Sequence, residues 1–188
     1  MSGLHAKRAA TYADLLNVPE HLVGEIVDGE LVTSPRPSAR HAAAASALGA
    51  DIHTAFGRKG GSGPGGWIIL VEPEVHIVGQ VLVPDIAGWR RERLPEIPDV
   101  AFFEIAPDWV CEISSPATAA IDRTRKRHHY GRARVGHLWL LDPAPETLEV
   151  YRLDGHDWRL VLSAAGPVKV QAEPFAAVEL DLGQVWAR

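Results

Sequence analysis

Trp109-Val110-Cys111-Glu112-Ile113-Ser114-Ser115-Pro116-Ala117-Thr118 is the stretch whose reading decides the fold. It is an apolar strand with one carboxylate inside it, followed by a Ser-Pro turn. An ionised carboxylate taken out of water costs several kcal/mol unless something compensates it. Glu112 therefore needs a chemical reason to be where it is. Upstream, Val81-Leu82-Val83-Pro84-Asp85-Ile86 repeats the pattern, with Asp85 at the end of an apolar run. Downstream, Asp122-Arg123-Thr124-Arg125-Lys126 places a lysine on a basic helix. Two acids from neighbouring strands supply hard oxygen donors for a divalent cation. A lysine beside them can orient the water that such a cation polarises. The constellation points to metal-assisted hydrolysis.

Working outward, Thr11-Tyr12-Ala13-Asp14 reads as a capping box opening a short helix that stops before Pro19. Val23–Val27 and Glu30–Thr33 flank Asp28-Gly29, a type I′ hairpin signal. Ser38 caps a helix running to about Phe56, with His41, Ala45, Leu48 and Ile52 along one face. The glycine-rich segment from Gly57 to Gly66 lacks the Lys-Ser/Thr ending of a phosphate-binding loop, so it reads as a surface connector. Strands are expected over Trp67–Val71, Glu74–Val78 and Val81–Gly88, and a charged, proline-containing loop over Arg90–Asp108. A helix over about Ile121–Arg134 leads to an apolar strand, His137–Leu141. Thr147–Leu153, Asp157–Ser163, Val168–Gln171 and Val178–Leu182 read as short strands forming C-terminal hairpins. This order predicts one α/β or α+β domain over residues 1–188, built around a mixed sheet flanked by helices.

Each candidate residue has a plainer alternative. Asp122, Lys126 and Tyr130 recur at helical spacing, and taken alone they describe a solvated i,i+4 ion pair worth a few tenths of a kcal/mol. Asp85 also fits a Pro-Asp turn at a strand end, and Glu112 a buried ion pair with an arginine. Glu25 is either a third acid or a polar residue on the outer face of the hairpin. His41 fits a core or capping histidine as well as a substrate contact. His128 and His129 are adjacent and do not share a helix face, which argues against zinc. Cys111 lies mid-strand and reads as core packing.

A net charge of −5 and a pI near 6.0 argue against a protein that coats nucleic acid. The distribution differs from the sum: six of the 19 Lys and Arg residues fall between Arg123 and Arg134, with no acid among them. The single cysteine fits a reducing cytoplasm. No run is long and apolar enough for a membrane span, and Met1–Lys7 lacks a signal-peptide core.

The pattern Glu25…Asp28-Gly29-Glu30-Leu31, His41, Val83-Pro84-Asp85, then Glu112-Ile113-Ser114-Ser115-Pro116-Ala117-Thr118 resembles the Uma-two family of restriction-endonuclease-like proteins, in the PD-(D/E)XK nuclease superfamily. Asp122…Lys126…Tyr130 and Leu138-Trp139-Leu140-Leu141-Asp142-Pro143 extend the likeness, which covers Thr11 to Tyr151. The resemblance implies a restriction-endonuclease-like core with Asp85 and Glu112 as metal ligands. In the superfamily a lysine usually stands two positions after the second acid; here Ser114 stands there, and the resemblance implies that Lys126 supplies the charge instead.

The function expected is a Mg²⁺- or Mn²⁺-dependent endonuclease acting on DNA. Asp85, Glu112 and the Ile113 carbonyl would hold the cation, with Lys126 positioning the attacking water and Glu25 supporting metal or water. Asp122 and Tyr130 would orient Lys126, and Arg123, Arg125 and Arg127 would hold backbone phosphates. The alternative is a nuclease-like scaffold that binds nucleic acid or protein without turnover. Val150, Trp158, Leu160 and Trp186, read as exposed apolar positions, make a homodimer a reasonable expectation.

Overall fold

Local signals in the chain become the elements they predict over most of its length. The computed structural model describes residues 8–58, 60 and 63–186. In α1 (Tyr12–Leu16) the Thr11 hydroxyl accepts from the Asp14 amide while the Asp14 carboxylate accepts from the Thr11 amide, completing the capping box. Strands β1 (Leu22–Val27) and β2 (Glu30–Pro35) pair antiparallel around Asp28 and Gly29, whose φ angles of 54° and 73° are those a type I′ turn needs. Ser38 caps α2 (Ala39–Ile52), which runs on into a π-helical turn at His53–Gly57. His41, Ala45, Leu48 and Ile52 are all buried, as their spacing requires.

Next come β3 (Trp67–Val71), β4 (Val75–Ile77), β5 (Gln80–Leu82) and β6 (Ile86–Arg90). The single strand expected over Val81–Gly88 is in fact two strands in different sheets. β5 lies in a four-stranded sheet of order β2-β1-β5-β4, and β6 in a six-stranded one. Pro84 offers no amide to a ladder, so the pairing stops there. Asp85 consequently stands at the crossing between the two sheets, outside either ladder.

The second half contains β7 (Trp109–Ile113), α3 (Ala119–Ile121), a π-helical turn (Asp122–Lys126), α4 (Arg127–Arg132) and β8 (His137–Asp142). It continues through β9 (Thr147–Asp154), β10 (Asp157–Ala165), β11 (Lys169–Val170), β12 (Leu180–Asp181) and a short α5 (Leu182–Val185) that the sequence reading lacked. The large sheet has the order β10-β9-β8-β7-β6-β3. β7 and β8 are parallel and the other pairings antiparallel, which makes the sheet mixed. A parallel pair needs a long crossover; the α3–α4 helical segment provides it. The first C-terminal hairpin, β9–β10, extends this sheet, while β11 and β12 pair separately.

Alternation along the central strands sorts residues onto two apolar layers. Trp109, Cys111 and Ile113 face the layer containing α2, with Trp139 and Leu141 of β8 beside them. Val110, Leu138 and Leu140 face the opposite layer, with Tyr130 and Val135. Glu112 shares the parity of Val110 and so belongs to the crossover-helix face. Phe175 ties the C-terminal segment into the first layer, its ring 4.9 Å from both Trp67 and Trp109.

Two of the four apolar positions behind the homodimer expectation are core. Val150 and Trp186 are 0% and 3% exposed, because both pack into the α2-side layer. Trp158 is half-buried and its indole N–H donates to the Arg127 carbonyl. Only Leu160 of the four is exposed. Among the described residues no helix is long and apolar enough to cross a membrane.

Candidate active site

Four acids and one lysine from separate parts of the chain meet at the junction of the two sheets. β1 contributes Glu25, the break between β5 and β6 contributes Asp85, β7 contributes Glu112, and the π turn contributes Asp122 and Lys126. The Lys126 ammonium lies 2.8 Å from Glu112 Oε1, 3.0 Å from Glu25 Oε1 and 3.4 Å from Asp122 Oδ1. This corrects the surface ion pair that helical spacing alone suggested: Lys126 is 2% exposed. The crossover helix must cover the apolar Val110–Leu138–Leu140 face, and it carries Lys126 beneath the surface as it does so.

Three of the four acids accept from a defined donor. Glu25 Oε1 accepts from the Val83 amide at 2.8 Å, so the outer-face reading of Glu25 is replaced by a buried one. The Tyr130 hydroxyl donates to Glu112 Oε1 at 2.5 Å. Asp85 Oδ2 accepts from the Ile113 amide at 2.6 Å, and its Oδ1 lies 3.1 Å from His41 Nε2. Thus His41, from the first turn of α2, reaches the acid nearest the sheet junction.

The electrostatics follow from burial and from an excess of negative groups. Burial pushes the Glu112 carboxyl well above its ordinary range, an effect the Lys126 charge only partly offsets. Asp122 is raised for the same reason. For Lys126, burial pulls down, but Glu112 and Glu25 outweigh it and hold the side chain as an ammonium. Burial and Glu112 raise the Tyr130 phenol, keeping it a neutral donor. Burial also opposes a charge on His41, yet the Asp85 bond and charge prevail, aided by the Ile113 carbonyl, and its pKa is raised. Three carboxylates surround one ammonium, so the cluster is short of positive charge.

A cleft of about 430 Å³ opens onto these groups, lined by Glu25, His41, Asp85, Glu112, Ser114, Asp122 and Lys126. Ser114 lines the cleft with its hydroxyl buried and unpartnered among the described residues. Among those residues no three acidic, histidine or cysteine side chains already stand as a metal cage. Cys111 is buried, and burial raises its thiol well above the usual value, which leaves it a packing residue.

The basic stretch is organised differently from its appearance in sequence. Arg123 pairs with Glu149 of β9. Arg125 lies 2.7 Å from Asp28 and 3.2 Å from Glu30 at the first hairpin, and also donates to the Val27 carbonyl. Arg127 stacks over Tyr151 at 4.3 Å. None of the three lines the cleft. Their expected role as phosphate contacts draws no support from the cleft: acids distant in sequence hold Arg123 and Arg125, and Arg127 lies on an aromatic ring. His129, buried, joins the same clamp with Nε2 2.7 Å from Asp28. The sequence reading missed that clamp, and it missed Arg36 and Arg40 on the cleft wall; a Ser-Pro-Arg-Pro run preceding a capped helix was the available signal.

Over residues 10–183 the chain matches the family model Uma2, described as "Putative restriction endonuclease". This chain belongs to that family. A crystal structure described as a "putative nuclease belonging to DUF820" from Anabaena variabilis matches it with a TM-score of 0.76 and 24% identity, covering 94% of this chain and 97% of that one. At this identity the likeness concerns the fold alone, a mixed α+β architecture, and it agrees with the one described above. No match was found among curated proteins. Family membership makes the Uma2 chain nuclease-like.

Proposed function

We propose that this Uma2 protein is a Mg²⁺-dependent endonuclease that hydrolyses DNA phosphodiester bonds in the Asp85–Glu112–Lys126 cleft, with Mn²⁺ as a substitute. One observation carries the reading: buried carboxylates outnumber the single ammonium at their centre, on the floor of an open cleft. Such a cluster favours an added cation. The donors suit a hard one, since Asp85, Glu112 and the Ile113 carbonyl offer oxygen alone, and Mg²⁺ commonly takes one or two carboxylates and keeps water. When bound, the cation supplies Lewis-acid activation of water and of the phosphoryl oxygen.

The chain's own groups do the rest. Lys126, held as an ammonium, is a charge donor to the developing phosphorane and not a proton acceptor. Glu25 and Asp122 fix its position, and Tyr130 fixes Glu112. The Ile113 amide orients Asp85 toward the cleft.

The test is cleavage of supercoiled and linear DNA with Mg²⁺ or Mn²⁺. Wild type should nick or cut, Asp85→Asn and Glu112→Gln should abolish the activity, and Lys126→Met should lower it by about 10²- to 10³-fold. Cleavage that survives both acid substitutions sinks this mechanism.

A second reading, a nuclease-like scaffold that binds without turnover, draws on the full engagement of Lys126 by three carboxylates and on serine at position 114. Calorimetric titration of Mg²⁺ or Mn²⁺ into wild type and Glu112→Gln separates the two. Absence of acid-dependent metal binding favours the scaffold.

A further inference from the structure

The first turn of α2 forms a wall of the cleft that the cluster around Lys126 does not use. Ser38, Arg40 and His41 all line it. Arg40 is exposed, and among the described residues its guanidinium has no ion pair or hydrogen bond. Arg36 lines the same wall, bonded to the Glu20 carbonyl and 3.9 Å from Glu72. In the same cleft, Ser114 is 7% exposed with an unpartnered Oγ, and His41 Nδ1 is likewise unpartnered among the described residues. Buried hydroxyls and ring nitrogens normally find partners, so unpaired ones on a cleft wall point to a ligand. α2 is 14 residues long, and its N-terminus adds a positive dipole end to the arginines.

We propose that this part of the cleft is a phosphate subsite, in which Arg40, from the N-terminal turn of α2, and the Ser114 hydroxyl hold a backbone phosphate of the nucleic acid. The source of the phosphate rests on the nuclease reading above; the anionic character of the ligand does not. Glu72 and Asp85 also line the wall and oppose an anion. Arg40, Arg36 and the helix end offset them. Arg123, Arg125 and Arg127 are committed to Glu149, Asp28, Glu30 and Tyr151, which leaves Arg40, among the described residues, as the unpaired arginine lining the cleft.

The test is fluorescence anisotropy of a labelled DNA duplex in EDTA across a salt series, so that binding is read apart from cleavage. Arg40→Gln should lower the slope of log affinity against log salt by about 0.9, shrinking the change between 50 and 200 mM by about 3.5-fold. Ser114→Ala should weaken binding by about fivefold, and Arg123→Gln should leave the slope unchanged. In parallel, inorganic phosphate is titrated while the Ser38 and Ser114 amide resonances are followed; shifts seen in wild type should vanish in Arg40→Gln. An unchanged slope and unchanged shifts in Arg40→Gln overturn the subsite, as does a slope lost in Arg123→Gln instead. Phosphate shifts that need Arg40, in a wild type that binds no duplex, overturn the nucleic-acid source and the nuclease reading while keeping an anion site. Arg40 is exposed and Ser114 makes no side-chain bond among the described residues, so matching melting temperatures confirm that both variants fold.

Discussion

Lys126 Nζ and Glu112 Oε1 lie 2.8 Å apart with both side chains at most 3% exposed. An ion pair this deep gains little net stability over apolar packing, but it is costly to break, because removing one partner strands the other in low dielectric. The pair therefore answers to the surrounding carboxylates more than to solvent.

Lys126→Met should destabilise the fold by about 3–5 kcal/mol at neutral pH, measured by urea denaturation. Lys126→Met/Glu112→Gln should recover part of that loss, because the stranded charge is gone. The pH dependence has a defined sign. The folded pKa of Lys126 is raised above 10.5, so its contribution is complete below that pH and is lost as pH rises through the folded value. The raised Glu112 acts in the same direction over a lower range, its cost growing as pH climbs above 4.5 toward its folded pKa. Equal stability of wild type and Lys126→Met would contradict the burial.

The His41–Asp85 pair should be visible as a titration. With its pKa raised above 6.5, His41 contributes stability that is fully present below pH 6.5 and is lost as pH rises through the folded value. In Asp85→Asn, burial is left without its counterweight, and the midpoint of the His41 ring resonance should fall below 6.5 in an NMR titration. Mg²⁺ added to wild type should lower the same midpoint if the cation takes Asp85. A midpoint indifferent to both would disconnect His41 from the acid.

Asp28 anchors the first hairpin to the crossover helix through Arg125 and His129. Asp28→Ala removes both bonds and places alanine at a φ of 54°, whereas Asp28→Gly relieves the φ strain. Since the carboxylate is 48% exposed, screening limits the bonds to about 1 kcal/mol, and the remainder of the Asp28→Ala loss is backbone strain. Chemical denaturation of the two variants should rank wild type, then Asp28→Gly, then Asp28→Ala.

Gly88 sits in β6 where a Cβ would come within 2.9 Å of Ile69 Cδ1 and 3.1 Å of the Trp109 ring. Gly88→Ala should cost about 1–3 kcal/mol by overpacking, read as a lower melting temperature with little change in metal binding.

Much of this was legible in local pattern. The Thr11–Asp14 box, the Asp28-Gly29 turn, the Ser38 cap and the apolar runs around Glu112 are interactions between residues a few positions apart, and they formed as expected. That Asp85 and Glu112 would come to one cleft was legible because each carboxylate interrupts an apolar run. The break at Pro84 was underread: a proline can end a strand in its own sheet or hand the chain to another, and only the partners of β5 and β6 decide between them.

The depth of Lys126 and the fate of the arginines were not readable, for one reason. A helix shows which residues share its side, but not what faces that side. Asp122, Lys126 and Tyr130 have the same spacing on a solvated helix as on this buried one. The stretch from Arg123 to Arg134 contains no acid, so the partners of Arg123 and Arg125 had to come from Asp28, Glu30 and Glu149, brought in by chain reversal and sheet pairing. The sequence by itself determined the strands, the caps, the turn and the identity of the acids, because those depend on short-range sterics and on the cost of a carboxylate among apolar neighbours. The tertiary structure alone decided which cations are buried, which are spent inside the protein and which is left at the cleft, because charge compensation is settled by distance in space.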